Sequence, residues 1–136
     1  HGRNAFWPIL CELLSIAPDS DYATRIAALR ANRIALWDVI AACERRGSLD
    51  ANIRPASIRV NDFGALFNAH PGIRCVAFNG GTAEREYRRR VLPSLDQVHR
   101  GIEQRRLPST SPAHAGLSFA AKLAAWRVLL EHIASS

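Results

Sequence analysis

Methionine is absent from the 136 residues, and lysine occurs once, at Lys122. A chain that opens at His1 with no Met does not begin at a natural initiation codon, so an internal point of a longer protein is expected. No apolar run approaches the ~20 residues of a membrane helix, which speaks against a spanning segment. No signal peptide is read at the start. Cysteine is scarce too. Cys11, Cys43 and Cys75 lie far apart, odd in number and without a C-x-x-C pair. That pattern argues against a disulfide framework or an iron–sulfur cluster. It suits reduced, buried, structural thiols in a cytoplasmic protein. No metal constellation is visible and no cofactor is implied. Gly80-Gly81 is too short for a phosphate-cradling loop, which weighs against a nucleotide-binding protein of flavodoxin-like shape.

What is abundant is arginine. The net charge is +6 with 18 basic residues, 17 of them Arg once Lys122 is set aside. Codon bias in a GC-rich genome explains Arg over Lys but not the positive excess. An anionic partner is favoured, nucleic acid first. The length suits one domain with a real core, and a hydrophobic content of 48% suits a globular protein.

Apolar periodicity predicts a helix over 5–16, with Pro8 tolerated in its first turn and Asn4 placed to cap it. A short helix is expected over 22–31. Residues 33–39 read as a buried strand with Asp38 at its end, followed by a helix to about Arg46. A loop-rich connection with Pro55 leads to Val60. Asn61 or Asp62 caps a helix through Phe67. A second strand spans 74–78 and ends in Asn79-Gly-Gly81. Helix is expected over 82–92, where Arg85, Arg88, Arg89 and Arg90 read as a solvated face, and a further turn over 94–99. A weak strand spans 102–107, and a last helix runs over 117–133 with Leu123, Trp126, Leu129, Leu130 and Ile133 as its stripe. Strands alternating with helices imply a parallel sheet covered on both faces, with ligands at the carboxyl ends of its strands. Asp38, Asn79 and the segment after Leu107 converge on that edge.

That segment, Leu107-Pro-Ser-Thr-Ser-Pro-Ala-His-Ala115, is barred from helix and central strand by Pro108 and Pro112. Ser109, Thr110 and Ser111 supply hydroxyls suited to phosphate oxygens. A plain Ser-Pro loop before a helix has the same composition. The segment resembles the Pro-Ser-rich signature loop of the uracil-DNA glycosylase superfamily, which pinches the DNA backbone. His1-Gly-Arg-Asn-Ala-Phe-Trp7 resembles the His-x-x-Asn-x-Phe-Trp segment of the same superfamily. Between them Ala35-Leu-Trp-Asp-Val-Ile40, Gly47-Ser-Leu-Asp50, Asn61-Asp-Phe63 and Val76-Ala-Phe-Asn-Gly80 follow, in order, the family 6 hypoxanthine-DNA glycosylases. The resemblance covers nearly the whole chain. It implies a three-layer α/β/α fold with a short parallel sheet, in which the family's first, central strand precedes His1 and is missing here.

The resemblance also implies roles. Phe6 would stack on a flipped base, while Trp7 reads as core. Asn4 would position the attacking water or support the developing sugar charge, roles it can combine with capping. Asp38 would accept the ring N–H that hypoxanthine and uracil share; the alternative is a cap of the following helix. His114 would donate to a base carbonyl or a phosphate, or sit solvated at a helix start. Asn79 would line the pocket, or only satisfy the turn at Gly80-Gly81. Ser109, Thr110, Ser111, Pro112 and Ala113 would meet the DNA backbone. The expected protein is a monomeric, monofunctional DNA glycosylase acting on hypoxanthine first and uracil second. With no Lys near these motifs, a lyase step is not expected. The competing reading is a non-catalytic DNA-binding module of the same fold.

Overall fold

The structure, a computed structural model, describes residues 4–38, 40–42, 59–113 and 116–134. Helix α1, Phe6–Leu14, buries Ile9, Leu10, Cys11 and Leu13 and ends where Ser15 turns left-handed at φ 56°. Helix α2, Tyr22–Ala31, opens on Asp21, whose carboxylate accepts the Thr24 N–H at 2.8 Å. The first agrees with the apolar spacing, and the second with the expected range 22–31.

Residues 33–38 of the strand expected over 33–39 form no strand, and Val39 lies outside the described residues. Helix α2 closes on Arg33 in the left-handed region, φ 62°. The Ile34 N–H turns back to the Leu29 carbonyl at 2.8 Å. This closing turn takes the donor that a strand ladder would need. Residues 34–38 pair with no strand among the described residues, and Leu36 and Trp37 stay 47% and 43% exposed. Strand β1 begins later, at Ile40–Ala42, where a helix was expected, and pairs antiparallel with β2, Arg59–Val60. Most of the predicted 40–46 helix and the 47–60 connection lie outside the described residues.

Downstream the pattern is followed closely. Asp62 accepts the Ala65 N–H and opens α3, Phe63–Ala69. Strand β3, Cys75–Asn79, and strand β4, Glu103–Leu107, pair in parallel from Cys75↔Glu103 to Asn79↔Leu107. Between them run α4, Gly81–Glu86, a π-helical turn over Tyr87–Val91, a 3₁₀ turn over Leu92–Ser94 and α5, Gln97–Arg100. The last helix is two: α6, Phe119–Trp126, capped by Ser118, and α7, Val128–Ala134. They divide at Arg127, where the Leu130 N–H bonds the Arg127 carbonyl at 3.0 Å, a three-residue step that tightens the coil.

Two apolar clusters flank the β3–β4 pair. One joins Ile9, Leu10, Leu13, Leu29, Leu107 and Trp126, from α1, α2, β4 and α6. The other joins Phe63, Phe67, Phe78, Tyr87, Val91 and Leu95, from α3, β3 and the helical turns after α4. Helices on both faces of a parallel pair give the expected α/β layering, in a sheet shorter by the strand expected over 33–39. Cys11 is buried as expected; Cys75, at the open start of β3, is only half-buried, and Cys43 lies outside the described residues. No helix among the described residues is long and apolar enough to cross a membrane.

Phe78 carries the contact between β3 and the second cluster. Phe78→Ala should lower unfolding free energy by about 3–5 kcal/mol, as large-to-small changes do in packed cores. Val98→Ala, at a side chain 80% exposed, should stay within about 0.5 kcal/mol. Urea titrations of the two variants check this, and similar midpoints would remove Phe78 from the core.

Candidate active site

The parallel register places Asn79 beside Leu107, so two strands end together. Each then turns away. Gly80 takes φ 93°, and a Cβ there would lie 2.9 Å from the Ser109 Cβ, so this turn needs glycine for conformation and for space. The Gly80 N–H bonds the Leu107 carbonyl at 3.0 Å.

The Pro-Ser loop is fixed from inside. Thr110 is 1% exposed. The Asn79 Nδ2 donates to its hydroxyl at 2.9 Å, and its own N–H donates to the Asn79 Oδ1 at 2.9 Å. The Thr110 carbonyl accepts the Ala5 N–H at 3.0 Å, which ties the start of α1 to the loop. From behind, the Trp126 indole N–H donates to the Pro108 carbonyl at 2.8 Å and the Lys122 ammonium to the Ser111 carbonyl at 3.4 Å. Ser109 and Ser111 accept N–H groups of Ser111 and Ala113. Each hydroxyl keeps its one O–H donor, with no acceptor among the described residues. Pro112 and Ala113 are exposed at the tip.

In front of this loop lies an open cleft of about 1330 Å³ whose walls include Asn4, Phe6, Trp7, Asp38, Asn79 and Phe119. Asn4 accepts the Phe6 N–H on its Oδ1 at 2.9 Å. The N-cap position itself is Ala5, with no side-chain cap bond; Asn4 stands one residue earlier, and its bond to the Phe6 N–H fixes the amide where it lines the cleft. The Phe6 ring is half-buried and held edge-on by Trp7 at 5.0 Å and by Trp126 at 6.0 Å. Trp7 carries the Arg25 guanidinium over its face at 5.5 Å, and it lines the cleft as well as packing on the core. Asp38 is exposed and reaches the cleft from the irregular 34–38 segment, not from a strand end. Its backbone carbonyl accepts from the Asn61 Nδ2. The alternative of Asp38 capping a helix fails at residues 40–42, which are strand.

Thus Asn4, Phe6, Asp38 and Asn79 are brought to one cleft, whereas Ser109, Ser111, Pro112 and Ala113 are not among its lining residues and are tied to it through the bonds of Thr110 to Asn79 and Ala5. Thr110 itself is a buried anchor. His114 lies outside the described residues. The arginines of α4 and the π-helical turn after it are largely paired: Arg88 meets Glu84 at 3.4 Å, Arg90 bonds Glu86, and Arg85 lies 3.9 Å from Glu86. Lys122 is the residue that spacing missed. Eleven positions separate it from Ser111, but α6 folds back on the loop and buries the ammonium behind it. Lys122 is not among the cleft-lining residues. A cue was present in the sequence: a lone Lys at 5% exposure sits in the apolar run Phe119-Ala-Ala-Lys-Leu-Ala-Ala-Trp126.

A parallel α/β pair with a Pro-Ser loop at its carboxyl edge defines the class, and known proteins of that class match. A solution NMR structure of a candidate uracil DNA glycosylase from Methanosarcina acetivorans superimposes with a TM-score of 0.75 at 30% identity, over 98% of this chain and 77% of that one. A hypoxanthine DNA glycosylase of M. acetivorans is 35% identical over 112 residues, 76% of this chain and 70% of that protein. One from M. barkeri is 37% identical over 81 residues, 59% of this chain. The chain spans half the length of the M. barkeri protein. No family model matches the chain. On the M. acetivorans match, the chain belongs to the hypoxanthine DNA glycosylase family.

The Asn79–Thr110 pair should be worth measuring directly. Asn79→Ala leaves a buried N–H and hydroxyl without partners and should cost about 1–3 kcal/mol. Gly80→Ala should also destabilise, through both φ and the Ser109 contact. Denaturant unfolding of each variant checks this; an Asn79→Ala midpoint equal to wild type would show that the loop is held without the pair.

Proposed function

We propose that this chain removes deaminated bases from DNA by hydrolysing the N-glycosidic bond, with hypoxanthine the first substrate and uracil the second. One observation carries the reading: a polar amide, a stacking ring and a carboxylate share one cleft at the carboxyl edge of the sheet, next to a braced hydroxyl-rich loop. A base must leave the duplex to reach such a cleft. Ser109 and Ser111 donate their O–H groups to the phosphates flanking the flipped nucleotide. Pro112 and Ala113 press on the backbone, and Thr110 holds the loop in place from within. His114 donates to a phosphate or a base carbonyl.

The base stacks on Phe6, whose ring Trp7 and Trp126 fix from the side. Asp38 accepts the ring N–H, and Asn79 closes the pocket floor while bracing Thr110. Water attacks C1′ of the sugar as the bond to the base breaks. The bonding electrons leave with the base, and the proton that the water loses ends, through solvent, on the departing ring nitrogen, so the products are the abasic sugar and the free base. Asn4 is too weak a base to take the water's proton. With its Oδ1 already accepting from Phe6, its Nδ2 is available to donate to the water oxygen and hold it in line. The positive surface excess draws DNA in and makes binding salt-sensitive. The protein acts as a monomer without a cofactor.

The test is to incubate inosine- and uracil-containing duplexes with the protein and cleave abasic sites with alkali. Breaks at inosine are expected, and fewer at uracil. DNA binding with no breaks at either base would favour the non-catalytic module instead. Asn4→Ala should slow single-turnover excision by ~10²-fold or more with DNA affinity little changed. An unchanged rate would leave Asn4 with its bond to the Phe6 N–H alone.

Asp38 makes a sharper prediction. Asp38→Asn keeps a neutral, weaker acceptor, and Asp38→Ala strands the ring N–H at a cost of about 1–3 kcal/mol in transition-state binding. Excision should fall from wild type to Asn to Ala. N1-methylhypoxanthine should be a poor substrate for wild type, and Asp38→Ala should lose most of that discrimination. Equal discrimination by wild type and Asp38→Ala would remove Asp38 from the pocket.

A further inference from the structure

The far end of the sheet carries a second group of side chains that the proposed chemistry does not use. Cys75 opens β3, Glu103 opens β4, and the two are register partners. His132 comes down on them from α7. One ligand atom from each lies within 4.8 Å of the others. The His132 Nε2 is 3.3 Å from the Glu103 Oε2, and the Arg105 Nε is 2.8 Å from that same oxygen. We propose that Cys75, Glu103 and His132 form a binding site for a divalent cation of the zinc class, with water as the fourth ligand.

The donor set decides the class. Sulfur, imidazole nitrogen and carboxylate oxygen together suit zinc, whereas calcium and magnesium take oxygen ligands. Zinc bonds of ~2.0–2.3 Å in a tetrahedron put ligand atoms ~3.5 Å apart. The ligand atoms lie within 4.8 Å of one another, so binding requires them to draw together by about 1 Å. Charge also balances: a thiolate and a carboxylate offset the dication, and the imidazole binds neutral. Arg105 does not exclude the ion, since an ionised carboxylate has about four lone-pair positions. It serves as the outer partner that orients a carboxylate ligand. Glu103 is exposed and the other two are half-buried, so the fourth position opens to solvent.

The four steps from Cys75 to Asn79 separate this group from the cleft by ~13 Å of strand. Its effect would be to fasten α7 to the first residues of both parallel strands. It would hold the fold together and take no part in bond cleavage.

The experiment is a titration of the reduced, metal-free protein with cobalt(II), followed in the near ultraviolet and visible. A thiolate-to-cobalt band with tetrahedral visible bands is expected at one equivalent. The near-ultraviolet band should vanish in Cys75→Ser and persist in Cys11→Ala, and His132→Gln should weaken binding. Zinc should raise the melting temperature of wild type but not of Cys75→Ser. No thiolate band in folded wild type would overturn the site. So would a band that survives Cys75→Ser, since the thiol would then be another. The wild-type arm decides even where a variant does not fold, and neither readout depends on excision.

Discussion

Everything near the cleft depends on how one buried threonine is satisfied. Thr110 is 1% exposed, so each of its polar groups must find a partner inside the protein. The Asn79 side-chain amide meets both hydroxyl and N–H, and the Ala5 N–H meets the carbonyl. Three separate pieces of chain, the start of α1, the end of β3 and the loop after β4, are thereby fixed to one residue. Asn4 and Phe6 follow directly from Ala5, and Gly80 from Asn79. The positions of the proposed water-holding and stacking groups are consequences of this junction. The hydroxyl sequence Ser109-Thr110-Ser111 thus divides its labour: the central residue points inward as the anchor, and its neighbours keep donors for an outside partner.

Sequence periodicity made much of this readable. Helix α2 at Tyr22–Ala31, the Asp62 cap and the strand ending at Leu107 were all visible, because local signals set them: apolar spacing, a capping carboxylate, a proline stop. The strand expected over 33–39 was not, since an apolar run states only that residues prefer burial. Whether it becomes a strand depends on a partner for its ladder, and the left-handed Arg33 turn consumed the Ile34 donor first. The division of the last helix at Arg127 left no mark in an apolar stripe that continues through both halves.

At the site, residue types were legible and their mutual arrangement was not. Asn4, Phe6, Asp38 and Asn79 could be named as a set from the ordered motifs, and the cleft does gather them. That Asn79 both lines the cleft and clamps Thr110 requires knowing which side chains meet across 31 positions. Lys122 and the Cys75–Glu103–His132 group were hidden for the same reason. Their members are remote in sequence and meet only because α6 and α7 fold back over the sheet.

The bond between Ala5 and Thr110 joins positions 105 apart in the chain. Closing so long a loop costs entropy before any local contact repays it, and contacts of this separation form late as a chain collapses. The two apolar clusters and the β3–β4 pair can assemble from nearer neighbours. The cleft therefore depends on a contact that closes late. A nascent chain lacks this junction until Thr110 has emerged, even though the strands and helices before it can already be in place.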